Sequence, residues 1–150
     1  GWRHRACPVN GPALAARGRS LALAWYTGAG GPRVSIAFSG DGGATFGRPV
    51  RVDGGRPLGR VDVEWADAAG REAVVVWMEE AGSGAAVRAR RVRTDGAVGA
   101  PLTLAHADRG AAGGFPRIVV TGSELVYAWT AADGGGVRAA ALPLDRLGVP

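Results

Sequence analysis

The sequence predicts an all-β fold built from repeated four-stranded antiparallel units, and three observations support this prediction. The 150 residues include 26 Gly and 9 Pro, and such a density of turn residues argues against a helical bundle or a coiled coil. The apolar segments alternate as half-buried strands do, and no segment has a helical period. In addition, a Trp recurs at constant spacing at the end of three of these segments.

The repeat is centred on Trp25, Trp77 and Trp129, which are separated by 52 residues in both intervals. Each Trp ends an alternating apolar run, which identifies the second strand of each unit. The repeats cover about residues 10–53, 58–105 and 114–150. A Gly stands seven residues before each Trp, at Gly18, Gly70 and Gly122.

The other strands of each repeat follow in order from turn residues and alternation. The first strands are predicted to begin near Pro12, Val61 and Pro116. After the Trp strand comes a Gly-rich turn, and the third strands then cover residues 33–38, 86–92 and 137–142. A Pro opens the fourth strands at 49–52 and 101–104, and the sequence reaches Pro150 before the fourth strand of the last repeat.

Four-stranded units of about 50 residues are typical of β-propeller blades. A sandwich of independent hairpins would show the same alternation, but nothing in that fold would keep Trp at constant spacing. Three blades do not close a ring, because propellers have about 4–8 blades. We therefore expect half of a six-bladed propeller, with the remaining blades in a longer parent chain and the three Trp residues packed between blades.

Composition narrows the range of partners and cofactors. Cys7 is the single Cys, which excludes an intramolecular disulfide, and with only His4 and His106 beside it a zinc site is not expected. No apolar run approaches the ~20 residues of a membrane helix. The net charge of +5 comes from 18 Arg and no Lys, which indicates a GC-rich coding bias. We accordingly predict no nucleic-acid partner, no membrane span, no metal and no cofactor.

One turn carries a resemblance to a known family. Residues 39–46, between the third and fourth strands of the first repeat, read Ser-Gly-Asp-Gly-Gly-Ala-Thr-Phe. In such a turn the Asp accepts backbone N–H groups and Gly supplies positive φ. The segment fits the pattern S-x-D-x-G-x-T-F/W, so the chain resembles the Asp-box (BNR-repeat) β-propellers of the sialidase-like superfamily. The resemblance implies a structural role for Ser39, Asp41, Gly43, Thr45 and Phe46, with the aromatic ring covering the blade edge.

The same resemblance suggests where a ligand would bind. In these propellers ligands bind at the mouth of the central channel, on the end opposite to the Asp-boxes. First strands start there and second strands end there. Two Arg residues converging at this end would hold the carboxylate of an anionic sugar bidentately; alternatively, Arg60 and Asp62 pair with blade neighbours. The candidates are Arg60, Arg117 and Asn10 for ligand binding, and Asp62, Glu79 and Tyr26 for catalysis.

Some features depart from the sialidase pattern. The Phe-Arg-Ile-Pro motif is absent, since residues 115–118 read Phe-Pro-Arg-Ile, and no Glu lies near Tyr26 in the sequence. A full catalytic set would need a third Arg and a Tyr/Glu pair from further blades. Three functions therefore stay open: a sialidase-like glycoside hydrolase or anionic-sugar binder, a non-catalytic propeller that binds glycan or protein, and a structural module. The resemblance also implies a secreted or periplasmic protein.

Overall fold

A computed structural model describes residues 10–150, which form three antiparallel sheets and two short 3-10 turns. The predictions for Cys7 and His4 fall outside these residues. Among residues 10–150, no helix is long and apolar enough to cross a membrane. The predicted all-β architecture of consecutive blades is confirmed.

Each sheet contains strands that are consecutive in the chain, and we call the sheets blades 1, 2 and 3. Blade 1 contains β1 (Ala13–Arg17), β2 (Ser20–Thr27), β3 (Arg33–Ser39) and β4 (Val50–Arg51). Blade 2 contains β5 (Pro57–Trp65), β6 (Glu72–Ala81), β7 (Gly84–Arg93) and β8 (Leu102–Ala107). Blade 3 contains β9 (Arg117–Thr121), β10 (Glu124–Thr130) and β11 (Val137–Pro143). Within the described residues, blade 3 thus has three strands. This is one fewer than in a complete blade, and the missing strand is the fourth, as the sequence of the last repeat indicated.

Blade 2 lies between the other two and provides the centre of the core. One apolar cluster joins it to blade 1, and two further clusters join it to blade 3. Its middle strand β6 is covered on both faces, so Val75 and Trp77 are as completely buried as Val74 and Val76. This double burial explains why the run from residue 73 to 78 is continuously apolar.

The three repeated Trp residues hold equivalent positions, as predicted. Trp25, Trp77 and Trp129 lie on the middle strands opposite Ser35, Arg88 and Arg138, respectively. Trp77 belongs to the cluster shared with blade 1 and Trp129 to a cluster shared with blade 2, so each faces the preceding blade. Complete burial is limited to Trp77, while Trp25 and Trp129 are half-buried. Trp25 is less buried because no sheet precedes blade 1 among residues 10–150, whereas Trp129 packs against blade 2 and is still partly exposed.

Candidate functional site

The turn between β3 and β4 is closed by the side chains of Ser39, Asp41 and Thr45. The Ser39 hydroxyl donates to Asp41 Oδ1 at 2.7 Å, and the Thr45 hydroxyl donates to Asp41 Oδ2 at 2.6 Å. The backbone N–H of Thr45 donates to Oδ1 at 3.0 Å, and that of Gly43 donates to the Ser39 hydroxyl at 2.9 Å. These bonds, led by that from the Thr45 hydroxyl, hold the pKa of the Asp41 carboxyl far below its usual range. Phe46 is 40% exposed, so its ring covers less of the blade edge than expected.

Replacing Asp41 with Ala is expected to lower the melting temperature at neutral pH, because three hydrogen bonds of the turn have the Asp41 carboxylate as acceptor. The folded-state pKa is depressed, so the carboxylate stabilises the fold above the ordinary value of 3.8, and this contribution is lost as the pH falls below it. Thermal scans at several pH values measure both effects. Asp95→Ala is the matched control, since among residues 10–150 the Asp95 carboxylate accepts bonds from just the Ala97 N–H and the exposed Arg93. Equal losses for the two variants, or a loss for Asp41→Ala that is independent of pH, would contradict this prediction.

At the opposite end of the blades, β5 contains an irregularity at Gly59 and Arg60. The pairing of β5 with β6 shifts register there, and both residues have positive φ, 88° and 55°. Arg60 is the single non-glycine residue with positive φ among residues 10–150, a conformation that costs an L-residue about 1–2 kcal/mol. Asn10 secures the bulge, since its Oδ1 accepts the Arg60 N–H at 2.6 Å and its Nδ2 donates to the Leu58 carbonyl at 3.1 Å. Asn10, a predicted ligand-binding residue, thus uses both polar atoms of its side chain to contact main chain.

The bulge directs the side chain of Arg60 inward, towards the segment that connects β8 to β9. Its Nη atoms donate to the carbonyls of Gly110 at 2.6 Å and Gly114 at 3.0 Å. The guanidinium also lies 5.7 Å from the centre of the Phe115 ring. With the residue only 9% exposed, Arg60 ties blade 2 to the connection that leads into blade 3. The predicted contact between Arg60 and a ligand stays a prediction; in the structure the guanidinium donates to two main-chain carbonyls and contacts the Met78 sulfur.

Asp62 and Arg117 meet at the same end, between blades 2 and 3. The buried Asp62 Oδ2 accepts the Ile118 N–H at 2.9 Å and lies 3.3 Å from Arg117 Nε. The Arg117 side chain is 74% exposed, while that of Asp62 is 8% exposed. A buried carboxylate thus lies beside a guanidinium whose side chain is largely exposed. Arg117 is the predicted ligand-binding residue with a largely exposed side chain, whereas Asp62 pairs with its neighbours, as the alternative interpretation expected.

Glu79 and Tyr26 lie elsewhere, at the junction of blades 1 and 2. The Glu79 carboxylate accepts the Trp77 indole N–H at 3.2 Å and lies 3.6 Å from Arg88 Nε. Tyr26 is half-buried and packs against the core cluster of that junction. The structure therefore brings together Asn10, Arg60, Asp62 and Arg117 through direct contacts or shared backbone, and places Glu79 on the other face of the blade 2 sheet.

Two further residues lie at the end of the blades opposite the turn at residues 39–46, and neither was among the candidates predicted from the sequence. Asp53 is 4% exposed and accepts the Val34 N–H at 2.7 Å, with Arg51 as its ion-pair partner at 2.7 Å. Phe115 is 52% exposed beside Arg60. The Phe-Pro-Arg order at 115–117 was the available signal for Phe115. The sequence contained no such signal for Asp53, because the burial of this residue depends on strand pairing that no local pattern indicates.

Comparison with known proteins identifies the class of fold. No protein-family model matches the chain, and no curated protein matches it. Two solved structures of the NanB sialidase from Streptococcus pneumoniae are similar to it, a mutant at 11% identity and an ethanesulfonate complex at 12% identity, each with a TM-score of 0.58. Both comparisons cover 92% of this chain and 24% of the sialidase chain. The chain thus has the fold of part of a sialidase β-propeller, and it spans about a quarter of those solved chains.

Proposed function

We propose that this chain supplies blades of a sialidase-like Asp-box β-propeller in an exported protein, and that it binds an anionic sugar at Arg117. The observation that carries this proposal is the buried Asp62 carboxylate, which orients an otherwise exposed guanidinium at the channel end of the blades. The turn at residues 39–46 supports the Asp-box assignment, because its Ser, Asp and Thr side chains close the loop upon themselves.

The chemistry of Arg117 suits a carboxylate ligand. Nε lies 3.3 Å from Asp62 while 74% of the side chain is exposed, so the planar fork of the guanidinium is accessible to a ligand. Such a fork binds a carboxylate through two parallel hydrogen bonds, which an ammonium group cannot reproduce. A long Arg side chain loses conformational entropy when it binds a ligand. The contact with Asp62 already restricts the Arg117 side chain in the unbound protein, so less entropy is lost on binding. Arg117 is therefore better prepared for an anion than an unpaired surface Arg.

The surroundings of Arg117 suit a sugar. Phe115 lies two residues before it, and its ring is half exposed at the same connection. Binding sites for small molecules typically combine apolar or aromatic walls with a few placed polar groups. Arg60 contributes by holding the carbonyls of Gly110 and Gly114, which fixes the segment that presents Phe115.

The second candidate is a non-catalytic propeller that binds glycan or protein, and one observation favours it over hydrolysis by these blades alone. Glycoside hydrolysis typically needs two carboxyl groups on either side of one bond, or a Tyr nucleophile. Asp62 and Glu79 already contact Arg117 and the Trp77 indole, respectively. An acid, a base and a nucleophile would have to come from further blades, whereas anion binding needs only groups described above.

Titration calorimetry of the protein with sialic acid tests the proposal. Arg117→Ala and Arg117→Lys are both expected to weaken binding about tenfold or more, which corresponds to the loss of one charged hydrogen bond. Arg48→Ala is the matched control, because Arg48 is an exposed Arg at the Asp-box end and its loss should leave affinity unchanged. Binding that survives in Arg117→Ala, or that is equally tight for a neutral hexose, would overturn the assignment.

A further inference from the structure

Blade 2 contains an internal carboxylate that two of its own side chains hold. Glu79 accepts the indole N–H of Trp77 at 3.2 Å and lies 3.6 Å from Arg88 Nε. Trp77 and Arg88 are directly paired on β6 and β7, so their side chains lie on the same face of the sheet. An indole and a guanidinium at this register therefore form a place for one carboxylate.

Blade 3 repeats the indole and the guanidinium but not the carboxylate. Trp129 pairs with Arg138 across β10 and β11, in the same register as the pair in blade 2. The repeat of 52 residues places Ala131 at the position equivalent to Glu79. A methyl group accepts no hydrogen bond, so the Ala131 side chain cannot replace the Glu79 carboxylate as a partner of the indole and the guanidinium.

A cavity of about 290 Å³ lies beside Ala131 in blade 3. It is lined by Trp129, Arg138 and His106, and by Asp133 from the turn between β10 and β11. Asp133 accepts a hydrogen bond from Arg138 Nη2 at 2.6 Å. One carboxylate uses only part of a guanidinium, which carries donors along more than one edge, and the Arg138 side chain is 53% exposed. Arg138 can therefore hold Asp133 and a second anion at the same time.

A fourth strand in blade 3 would leave this cavity accessible. The fourth strand of a blade pairs with the third strand, on the side away from the second, so it would not come between Trp129 and Arg138. Blade 2 contains its fourth strand β8, and the Glu79 side chain is still 15% exposed there. The equivalent position in blade 3 is thus open to a small molecule from solvent.

We propose that this cavity binds a small carboxylic acid, whose carboxylate takes the place in blade 3 that the Glu79 carboxylate has in blade 2. The Trp129 indole N–H and the Arg138 guanidinium would each donate to it, and hydrogen bonds between a guanidinium and a carboxylate are short and strong. The cavity volume is at the lower end of the range for small-molecule sites, about 300–1,000 Å³, which favours an acid of a few carbon atoms. Arg117 lies on the inner strand β9, whereas the cavity lies between β8, β10 and β11. The inference therefore does not rest on the proposed function.

Titration with sodium acetate, followed by NMR of the Trp indole N–H groups, tests this site. The Trp129 signal is expected to move and to saturate. Trp77, whose partner is Glu79, and Trp25, which lies opposite Ser35, are controls at equivalent positions within the same molecule. Their signals should move no more with acetate than with sodium chloride at equal ionic strength. A Trp129 signal that responds equally to acetate and to chloride would overturn the proposal.

Substitution of Arg138 shows whether the guanidinium holds the acid. Arg138→Ala should weaken acetate binding about tenfold, which corresponds to the loss of one charged hydrogen bond. Arg146→Ala is the matched control, because Arg146 is an exposed Arg of the same segment that does not line this cavity, and its loss should leave the affinity unchanged. Arg117→Ala should also leave the acetate response of Trp129 unchanged, which separates this site from the proposed sugar site. An unchanged affinity in Arg138→Ala would contradict the assignment.

A carboxylate supplied by the chain itself gives a second test that needs no added ligand. Ala131→Glu places a carboxylate at the position that Glu79 has in blade 2, and Ala131→Gln is the matched control because it has the same size without the charge. The Glu variant is expected to melt about 2–4 °C above the Gln variant, the shift for roughly 1 kcal/mol in a chain of this length. It should also abolish the acetate response of Trp129. A Glu variant that melts at or below the Gln variant would show that Trp129 and Arg138 do not form a carboxylate site.

Discussion

Replacing Trp77 with Ala is expected to lower the free energy of unfolding by about 3–5 kcal/mol, the range for removing a large buried aromatic side chain. The residue is completely buried and shares one core cluster with Ile36 and Trp65 of neighbouring strands. Its indole N–H also donates to Glu79, so truncation leaves both a cavity and a carboxylate without that donor. Urea denaturation followed by circular dichroism measures the loss.

Trp25→Ala is the matched control for this prediction, because Trp25 has the same position in β2 and is half-buried. Trp25→Ala should cost clearly less unfolding free energy than Trp77→Ala, because no sheet among residues 10–150 covers that side of β2. Equal losses at the two positions would contradict the conclusion that cover by blade 1 determines the contribution of Trp77.

Replacing Arg60 with Ala is expected to destabilise the protein by about 2–3 kcal/mol, since hydrogen bonds to a charged group contribute about 1.5–3 kcal/mol. The variant removes the bonds to the carbonyls of Gly110 and Gly114 while keeping the unfavourable positive φ of 55°. Chemical denaturation gives the magnitude. Because these bonds fix the connection before β9, hydrogen exchange of that segment should also become faster.

Arg60→Gly separates the side-chain bonds from the backbone conformation. Glycine adopts positive φ without steric cost, so this variant should be more stable than Arg60→Ala by about 1 kcal/mol. Equal stabilities of the two variants would show that the backbone conformation costs nothing at this position. An Arg60→Ala protein as stable as the unaltered one would show that the guanidinium does not hold the connection.

The blade architecture could be predicted from the sequence because its determinants are local and repeated. Strand alternation is read over a few residues, and the spacing of Trp25, Trp77 and Trp129 fixes the register between repeats. The turn at residues 39–46 was equally accessible, since Ser39, Asp41 and Thr45 bond to each other within one loop. For these features, sequence proximity and spatial proximity coincide.

The candidate site was less predictable because its contacts join distant parts of the chain. Asn10 meets Arg60 across 50 positions, and Asp62 meets the Ile118 N–H across 56. Nothing local indicates that the residue after Gly59 adopts positive φ, yet this conformation turns Arg60 from the channel towards the main chain. Sequence reasoning thus placed Asn10, Arg60, Asp62 and Arg117 at one end of the blades, whereas the directions of their side chains depend on these long-range contacts and on the bulge.

The pairing of every strand with its neighbours in sequence has an evolutionary consequence. A segment of about 50 residues contains all the main-chain hydrogen bonds of its own sheet. Its coding sequence can therefore be duplicated or deleted as one unit without disrupting the hydrogen bonds of any other sheet. What such a change must then match is the packing between sheets, where an indole on one unit meets alanine or valine on the preceding unit. Unequal recombination within a gene that encodes several such units can change the number of blades in a ring, while the strands and turns within each blade stay the same.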